Sequence, residues 1–254
     1  MNIKARQAKL IETVRRQGKV SVEDLAAILG ASRETIRRDL TYLSELGKIQ
    51  KVHGGARIPR LMGEGPFKQR LSESVDAKMR IASTATTLIA PGETVFIDTG
   101  STTLIFAEEL AKVAGLTVVT NSTEIARTLA TANTANRVFL LGGEFGADNS
   151  QTVGTMAAAQ IRSFRAHHAI LAVGAIDARS GAMDYNIEEA QIARAMIAQS
   201  ETITVLADSS KFDALASFEV CALSVIDRLV TDKAPPPDIL EAFESGGGKI
   251  ILPT

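Results

Sequence analysis

The stretch Thr94-Val95-Phe96-Ile97-Asp98-Thr99-Gly100-Ser101-Thr102-Thr103 decides how the larger part of this chain folds. Thr94 to Ile97 is short, apolar and β-branched, which predicts a buried strand. The strand stops at Asp98, turns through Gly100 and gives way to a helical pattern carrying Leu104, Ala107, Leu110 and Ala111. A strand that turns through glycine into a helix aims the free N–H groups of the first helical turn outward. There the helix dipole and the hydroxyls of Ser101, Thr102 and Thr103 favour an anion. The same residues also suit a plain turn with Ser101 or Thr102 as N-cap, so the motif alone supports both readings.

The pattern recurs along the chain. Thr117–Thr120 ends at Asn121-Ser122, Val138–Leu141 at Gly142-Gly143, and Ala169–Val173 at Gly174, with Asp177 just beyond. Thr202–Ala207 runs into Asp208-Ser209-Ser210-Lys211, Leu229-Val230 into Thr231-Asp232, and Lys249–Leu252 makes a last strand. Apolar strands alternating with helices predict an α/β fold with a mostly parallel sheet covered on both faces. Ligands of open parallel sheets bind beyond the carboxyl ends of the strands. Asp98, Gly100, Ser101, Thr102, Thr103, Asn121, Ser122, Gly142, Gly143, Gly174, Asp177 and Lys211 are therefore candidates for one cleft. Hydroxyls, amides, a cation and carboxylates are what a phosphorylated polyol needs. Turn residues at strand ends have the same composition, so spacing alone leaves the choice open.

Composition narrows the class. The 254 residues are 45% hydrophobic, with no Trp and a single cysteine, Cys221. That excludes an internal disulfide, and three histidines beside one thiol give no zinc framework; no metal or cofactor motif is present. His167 and His168 are adjacent, so on a strand they point to opposite faces. The N-terminus shows no signal-peptide core, and the longest uncharged apolar run, Ala169 to Ile176, is too short to cross a bilayer. A cytoplasmic protein without membrane contact is expected. The net charge of −1 conceals an asymmetry: residues 1–60 hold 13 Lys/Arg against 6 Asp/Glu, and the remainder 15 against 23. A basic head on an acidic body points the head toward a polyanion.

In that head, Ala5 to Gln17 reads as a helix burying Leu10, Ile11 and Val14 and stopping at Gly18. Ser21 caps a second helix, with Asp24 three residues on and Val22, Leu25, Ala26 and Leu29 on one face. After Gly30-Ala31, Ser32 caps a third, whose buried face is Ile36, Leu40 and Leu43. Helix, glycine-containing turn and helix is the spacing of a helix-turn-helix. Opposite the buried face lie Glu34, Arg37, Arg38 and Thr41, with Arg33 at the shoulder. Such a face suits the major groove, where Arg pairs bidentately with guanine and Glu accepts from cytosine. Lys48 to Val52 alternates like a strand and runs into His53-Gly54-Gly55-Ala56, a hairpin wing offering Lys48, Lys51 and His53 to phosphates.

Gly18 to Ala26, Ser32-Arg33-Glu34-Thr35-Ile36-Arg37-Arg38-Asp39-Leu40 and His53-Gly54-Gly55-Ala56 resemble the winged helix-turn-helix of the DeoR family of bacterial transcriptional repressors. The resemblance extends through Asp98-Thr99-Gly100-Ser101-Thr102-Thr103, Thr120-Asn121-Ser122, Leu141-Gly142-Gly143, Gly174-Ala175-Ile176-Asp177, Glu188-Glu189-Ala190 and Asp208-Ser209-Ser210-Lys211-Phe212. It implies a DNA-binding domain over residues 1–57, a linker over 58–76 and a sugar-phosphate-sensing domain over 77–254, the last related to the ribose-5-phosphate isomerase fold. It implies operator DNA and a phosphorylated sugar or polyol as partners, with Ser32, Arg33, Glu34, Thr35, Arg37, Arg38, Thr41, Lys48, Lys51 and His53 on the DNA. The Gly100-to-Thr103 turn would hold the phosphate, with Asp177, Glu188 and Lys211 near the sugar end. Ala175 and His167-His168 depart from the family pattern; an altered pocket rim is one consequence to test. Phe164 to Phe212, with Asp232 to Pro237, looks most like the branch regulating glycerol 3-phosphate use. An isomerase-like enzyme is the rival reading. No lysine occurs between Asp177 and Lys211, which leaves that enzyme's catalytic set incomplete. A homo-oligomer presenting paired heads to repeated half-sites is expected.

Overall fold

The computed structural model describes residues 3–45, 49–52, 54–57 and 63–253, and the chain divides between Met62 and Gly63 into two compact units. In the first, α1 (Ile3–Gln17), β1 (Lys19–Ser21), α2 (Val22–Leu29), α3 (Arg33–Glu45), β2 (Gln50–Val52) and β3 (Gly55–Arg57) follow in order. Ser21 Oγ accepts from the N–H of Asp24 at 3.0 Å, so the predicted cap starts α2. Gly30 closes α2 at φ 60°, a left-handed conformation that glycine takes without a Cβ penalty. Leu10, Val14, Leu25, Ile36, Leu40 and Ile49 are buried together, one apolar stripe from each helix closed by the wing.

The wing has one strand more than expected. β3 lies between β1 and β2, both antiparallel to it. A Cβ on Gly55 would stand 2.1 Å from the carbonyl oxygen of Val20, so the β1–β3 pairing requires glycine there. Lys48 and His53 lie outside the described residues.

The second unit begins with α4 (Phe67–Ser72) and α5 (Val75–Thr86), so helical structure starts inside the stretch expected as linker. Then come β4 (Thr94–Ile97), α6 (Ser101–Leu110), β5 (Thr117–Thr120), α7 (Thr123–Ala130), β6 (Arg137–Leu140), the hairpin β7 (Glu144–Gly146) and β8 (Gln151–Val153), and α8 (Thr155–Ile161). The chain continues as β9 (Ala166–Ala172), β10 (Ala175–Asp177), β11 (Gly181–Asp184), α9 (Ile187–Ile197), β12 (Ser200–Leu206), β13 (Phe218–Cys221), β14 (Arg228–Val230), α10 (Pro237–Ser245) and β15 (Lys249–Ile251).

Seven strands form one sheet in the order β15-β14-β12-β9-β4-β5-β6, every pair parallel. Successive residues of its strands enter opposite cores. Phe96, Leu171, Val205 and Leu229 join the layer holding Ala190, Met196 and Phe243. Val95, Ile97, Ile170, Leu206 and Val230 join the layer holding Ile81, Phe106 and Leu129. A sheet buried on both faces explains the unbroken apolar runs. The order reverses between β4 and β9, which places the switch point where Asp98 leaves one strand and Val173 leaves the other. A smaller antiparallel sheet, β10-β11-β13, was not visible in the strand pattern.

Candidate functional sites: a basic helix face and a polar cavity

Helix α3 turns Ile36, Asp39, Leu40 and Leu43 inward and leaves Arg33, Glu34, Arg37, Arg38 and Thr41 exposed. Ser32 starts it, its Oγ accepting from the N–H of Thr35 at 3.1 Å and lying 2.9 Å from the Thr35 hydroxyl, so both residues serve the cap. Arg33 reaches Glu23 at 3.7 Å and Arg38 reaches Glu34 at 3.5 Å, loose exposed pairs. Arg37 has no ion pair among the described residues. Lys51, on β2, donates to Thr41 Oγ1 at 3.0 Å, bringing wing and helix to one surface. Tyr42, which the sequence reading left out, stands half exposed one turn beyond Arg38. Asp39 is the inward member of the motif: it accepts from Arg6 Nε at 2.6 Å and Gln7 Nε2 at 3.1 Å, fastening α1 to α3.

In the second unit the carboxyl ends of β4, β9 and β12 surround a narrow space of about 20 Å³, lined by Thr99, Gly100, Ser101, Thr102, Arg70 and Lys211 among others. A wider cavity of about 390 Å³ adjoins it, bordered by Asn149, Gln151, Tyr185, Asn186 and Glu188. Glu64, Arg70, Asp184 and Glu189 line both, so the two are lobes of one site. A Cβ on Gly100 would lie 2.5 Å from Ala172 Cβ, and glycine is what lets the turn close against β9. No side chain caps α6 at Gly100, in contrast to α7 and α9, which Ser122 and Asn186 cap.

A chain of polar contacts spans the site. Thr99 Oγ1 donates to Asn121 Oδ1 at 3.3 Å, and Asn121 Nδ2 lies 3.4 Å from Gln151 Oε1. Gln151 Nε2 and Asn149 Nδ2 both donate to Glu189 Oε1 at 2.6 Å. Arg70 donates to Asn149 Oδ1 at 2.8 Å and pairs with Glu64, which also pairs with Lys211. Lys211 is held by its own turn: Asp208 Oδ1 accepts from the Ser210 N–H at 2.9 Å, and Asp232 Oδ1 from the Ser209 N–H at 2.6 Å.

Of the residues expected in one cleft, the structure brings Thr99, Gly100, Ser101, Thr102 and Lys211 into the narrow lobe and Glu188 to the wide one. Lys211 thus sits at the turn's end of the site. Asp177 lines neither lobe; its Oδ1 accepts from the N–H groups of Arg179 and Ser180, closing the β10–β11 turn. Gly142 and Gly143 also lie off the cavity, one bonded to Gln160 and the other pressed on Val153. Gly174 gives room to the Tyr185 ring, 2.7 Å from where its Cβ would be. Thr103 is fully buried, its hydroxyl bonded to the Gly100 carbonyl, and Ser122 is a helix cap. Asp98 is buried behind the turn, bonded to the Ala172 N–H at 2.9 Å.

His167 and His168 occupy the amino end of β9, the opposite end of the sheet, so they do not form a pocket rim. His167 Nδ1 accepts from the Thr94 N–H at 3.0 Å, and His168 Nε2 lies 3.2 Å from Glu93 Oε2. Ala175 is buried against Met183 and Ala216. Sequence reasoning missed Glu64, Arg70, Asn149, Gln151, Asp184 and Glu189. Glu189 was within a quoted motif; the first two fell in the presumed linker, where the pairing of opposite charges six residues apart was the available signal.

The carboxylates are closely grouped. Burial pushes the Asp98 carboxyl well above the ordinary range, with Asp184, Glu189 and Glu64 adding to the rise and the Ala172 N–H opposing it. Burial likewise raises Asp184 to about 7, Glu189 adding to it. Glu189 is raised by burial against the pull of Gln151 and Arg70. Burial lowers Lys78, which donates to the Arg70 carbonyl and fixes the end of α4. Among the described residues no cluster of His, Cys, Asp and Glu is suited to a metal, and no helix is long and apolar enough to cross a membrane.

A winged helix-turn-helix with a basic outer face, followed by a doubly wound unit with a polar cavity at its switch point, defines a DNA-binding transcriptional regulator with a separate ligand-sized site. The DeoR C terminal sensor domain matches residues 73–233, and the DeoR-like helix-turn-helix domain matches residues 6–60. The HTH-type transcriptional repressor CsqR of Escherichia coli (strain K12) is 32% identical over 248 residues, covering 98% of this chain and 95% of that protein. The Glycerol-3-phosphate regulon repressor of the same organism is 33% identical over 234 residues, 92% of each chain. Among solved structures, ribose 5 phosphate isomerase A from Neisseria gonorrhoeae is similar at 18% identity and a TM-score of 0.40, covering 54% of this chain and 53% of that one. The chain belongs to the DeoR family of transcriptional regulators.

Proposed function

We propose that this protein is a cytoplasmic, homo-oligomeric repressor of a carbohydrate or polyol operon, released or retained on its operator by a phosphorylated sugar or polyol. The observation that carries the effector class is the meeting of the uncapped α6 terminus with Arg70 and Lys211 at the sheet's switch point. Two cations and convergent N–H groups suit a phosphate, and the adjoining lobe offers Asn149, Asn186, Glu188 and Asp184 to hydroxyl groups. One of the two named relatives, the Glycerol-3-phosphate regulon repressor, makes glycerol 3-phosphate the first compound to try. The α3 face of Arg33, Glu34, Arg37, Arg38 and Thr41 enters the major groove, with Lys51 on the backbone.

The site is read as a sensor rather than a catalyst. Glu189 Oε1 is engaged by two amides, Asp184 Oδ1 by the N–H groups of Tyr185 and Asn186, and Lys211 by Glu64. Carboxylates anchored in this way are held in fixed orientation, which suits them to receive a ligand's hydroxyl groups. Calorimetric titration of the full-length protein with phosphorylated polyols and their unphosphorylated counterparts tests the reading. Binding confined to the phosphorylated member of a pair is expected. Equal binding of both members removes the phosphate assignment, and turnover of an aldose phosphate to its ketose removes the sensor assignment.

A further inference from the structure

We infer that Glu64 is a built-in occupant of the anion subsite: its carboxylate holds Arg70 and Lys211 until an incoming phosphate takes both cations and displaces it. The inference rests on the effector site proposed above and adds how that site is kept closed and how its occupancy reaches the DNA-binding unit.

Four acids in or just behind the narrow lobe differ in how they are held, and Asp148 and Glu188 border the wide lobe alone. Asp98 is bonded to the Ala172 backbone, Asp184 to the Tyr185 and Asn186 backbones, and Glu189 to the Asn149 and Gln151 amides. Among the described residues, Glu64 alone has no side-chain partner except the two cations that a phosphate would require. Residues 63–66 belong to no helix or strand, and a Cβ on Gly63 would meet nothing within 4 Å. Moving Glu64 therefore breaks two ion pairs and no element of the fold.

Space gives the second argument. About 20 Å³ remains in the narrow lobe with Glu64 in place, enough for about one water and far too little for a phosphate group. Charge gives the third. A dianion added beside Glu64, Asp184 and Glu189, which line the same space, would meet three acids and only Arg70 and Lys211 in compensation, whereas exchange of Glu64 for the phosphate keeps the pairing of the two cations. The position of Glu64 supplies the output. It is the second residue after the boundary at Met62, so its release frees the segment that enters the sensor unit directly from the DNA-binding unit.

The test is calorimetric titration of full-length protein with inorganic phosphate, comparing the unaltered chain with Glu64→Gln, Lys211→Met and the double variant, each checked for unchanged circular dichroism. Removal of a competing internal anion that fills the subsite most of the time should tighten phosphate binding by about tenfold or more in Glu64→Gln. The gain should vanish in the double variant. If the unaltered chain binds phosphate, Lys211→Met weakens it and Glu64→Gln binds no better, the inference is overturned while the effector site stands. If phosphate binds none of the chains, or binds Lys211→Met as well as the unaltered protein, the site and the inference fall together.

Discussion

Asp98 Oδ1 accepts a hydrogen bond from the backbone N–H of Ala172 at 2.9 Å, tying the end of β4 to the end of β9 where the strand order reverses. The bond closes the floor beneath the turn at Gly100. A buried carboxyl whose ionisation is opposed by burial works here mainly as an acceptor oxygen. Asp98→Asn keeps such an oxygen and should leave denaturant stability close to that of the unaltered chain. Asp98→Ala strands the Ala172 N–H and should cost about 1–3 kcal/mol. Equal stability of the two variants would show that the tie contributes nothing.

Gly100 lies against Ala172 with no room for a side chain. Its backbone is extended, so the objection to Gly100→Ala is contact: the new methyl would stand 2.5 Å from Ala172 Cβ and 2.9 Å from Thr103 Oγ1. Two packed elements must separate, at a cost of about 1–3 kcal/mol, and the turn over the narrow lobe must shift. Calorimetry should show phosphate binding lost in a variant that still folds and still binds operator DNA. Unchanged phosphate affinity would place the anion elsewhere.

Asp184 gives the stability a pH dependence of definite sign. Its carboxyl rises from 3.8 to about 7 on folding, so between those values the folded chain keeps a proton that the unfolded chain has released. Its contribution is complete below about pH 4 and is lost as the pH climbs through about 7. Glu189, Glu64 and the Tyr185 and Asn186 N–H groups all face it. Asp184→Asn, measured by urea unfolding from pH 4 to 8, should flatten that decline. A decline as steep as in the unaltered chain would assign it to other groups, Asp98 and Glu189 first.

On the DNA-binding unit, Arg37 is exposed without an ion pair among the described residues, and Lys51 rests on Thr41 at the edge of the same face. If Arg37 reads bases, Arg37→Ala should relax sequence preference and cost about 1–3 kcal/mol on the operator alone. If Lys51 meets only the backbone, Lys51→Ala should weaken all sequences alike and lower the salt slope by about one phosphate. Anisotropy titrations on operator and scrambled DNA at several salt concentrations separate the two. Uniform loss for Arg37→Ala would contradict its assignment.

The parts of the fold legible from sequence are those set by local pattern. Ser21 and Ser32 announced their helices, and the strand runs around Phe96, Val119, Ile170 and Val205 announced a sheet buried on both faces. The turn at Gly100 was legible because glycine, hydroxyls and a following helix sit together in the chain. What stayed hidden depends on distant residues. Gly55 is required by Val20, thirty-five positions away, and Asp177, which has the look of a ligand residue, is spent on its own turn. Glu64 and Arg70 carried no periodicity, and their role is created by Lys211, which folding alone brings to them. Asn149 lies in the turn and Gln151 opens the second strand of a hairpin that no strand pattern predicted, and Asp184 ends a strand of the small antiparallel sheet.

The central claim, that a phosphorylated compound in the sheet cavity governs DNA binding by the head, is tested most directly by fluorescence anisotropy. Full-length protein would be titrated onto its own upstream DNA at fixed salt, with glycerol 3-phosphate, a panel of sugar phosphates and their unphosphorylated counterparts. The account predicts that one phosphorylated compound shifts the operator affinity by about 5- to 150-fold while its unphosphorylated counterpart does not. Operator binding that no phosphorylated compound moves would contradict it.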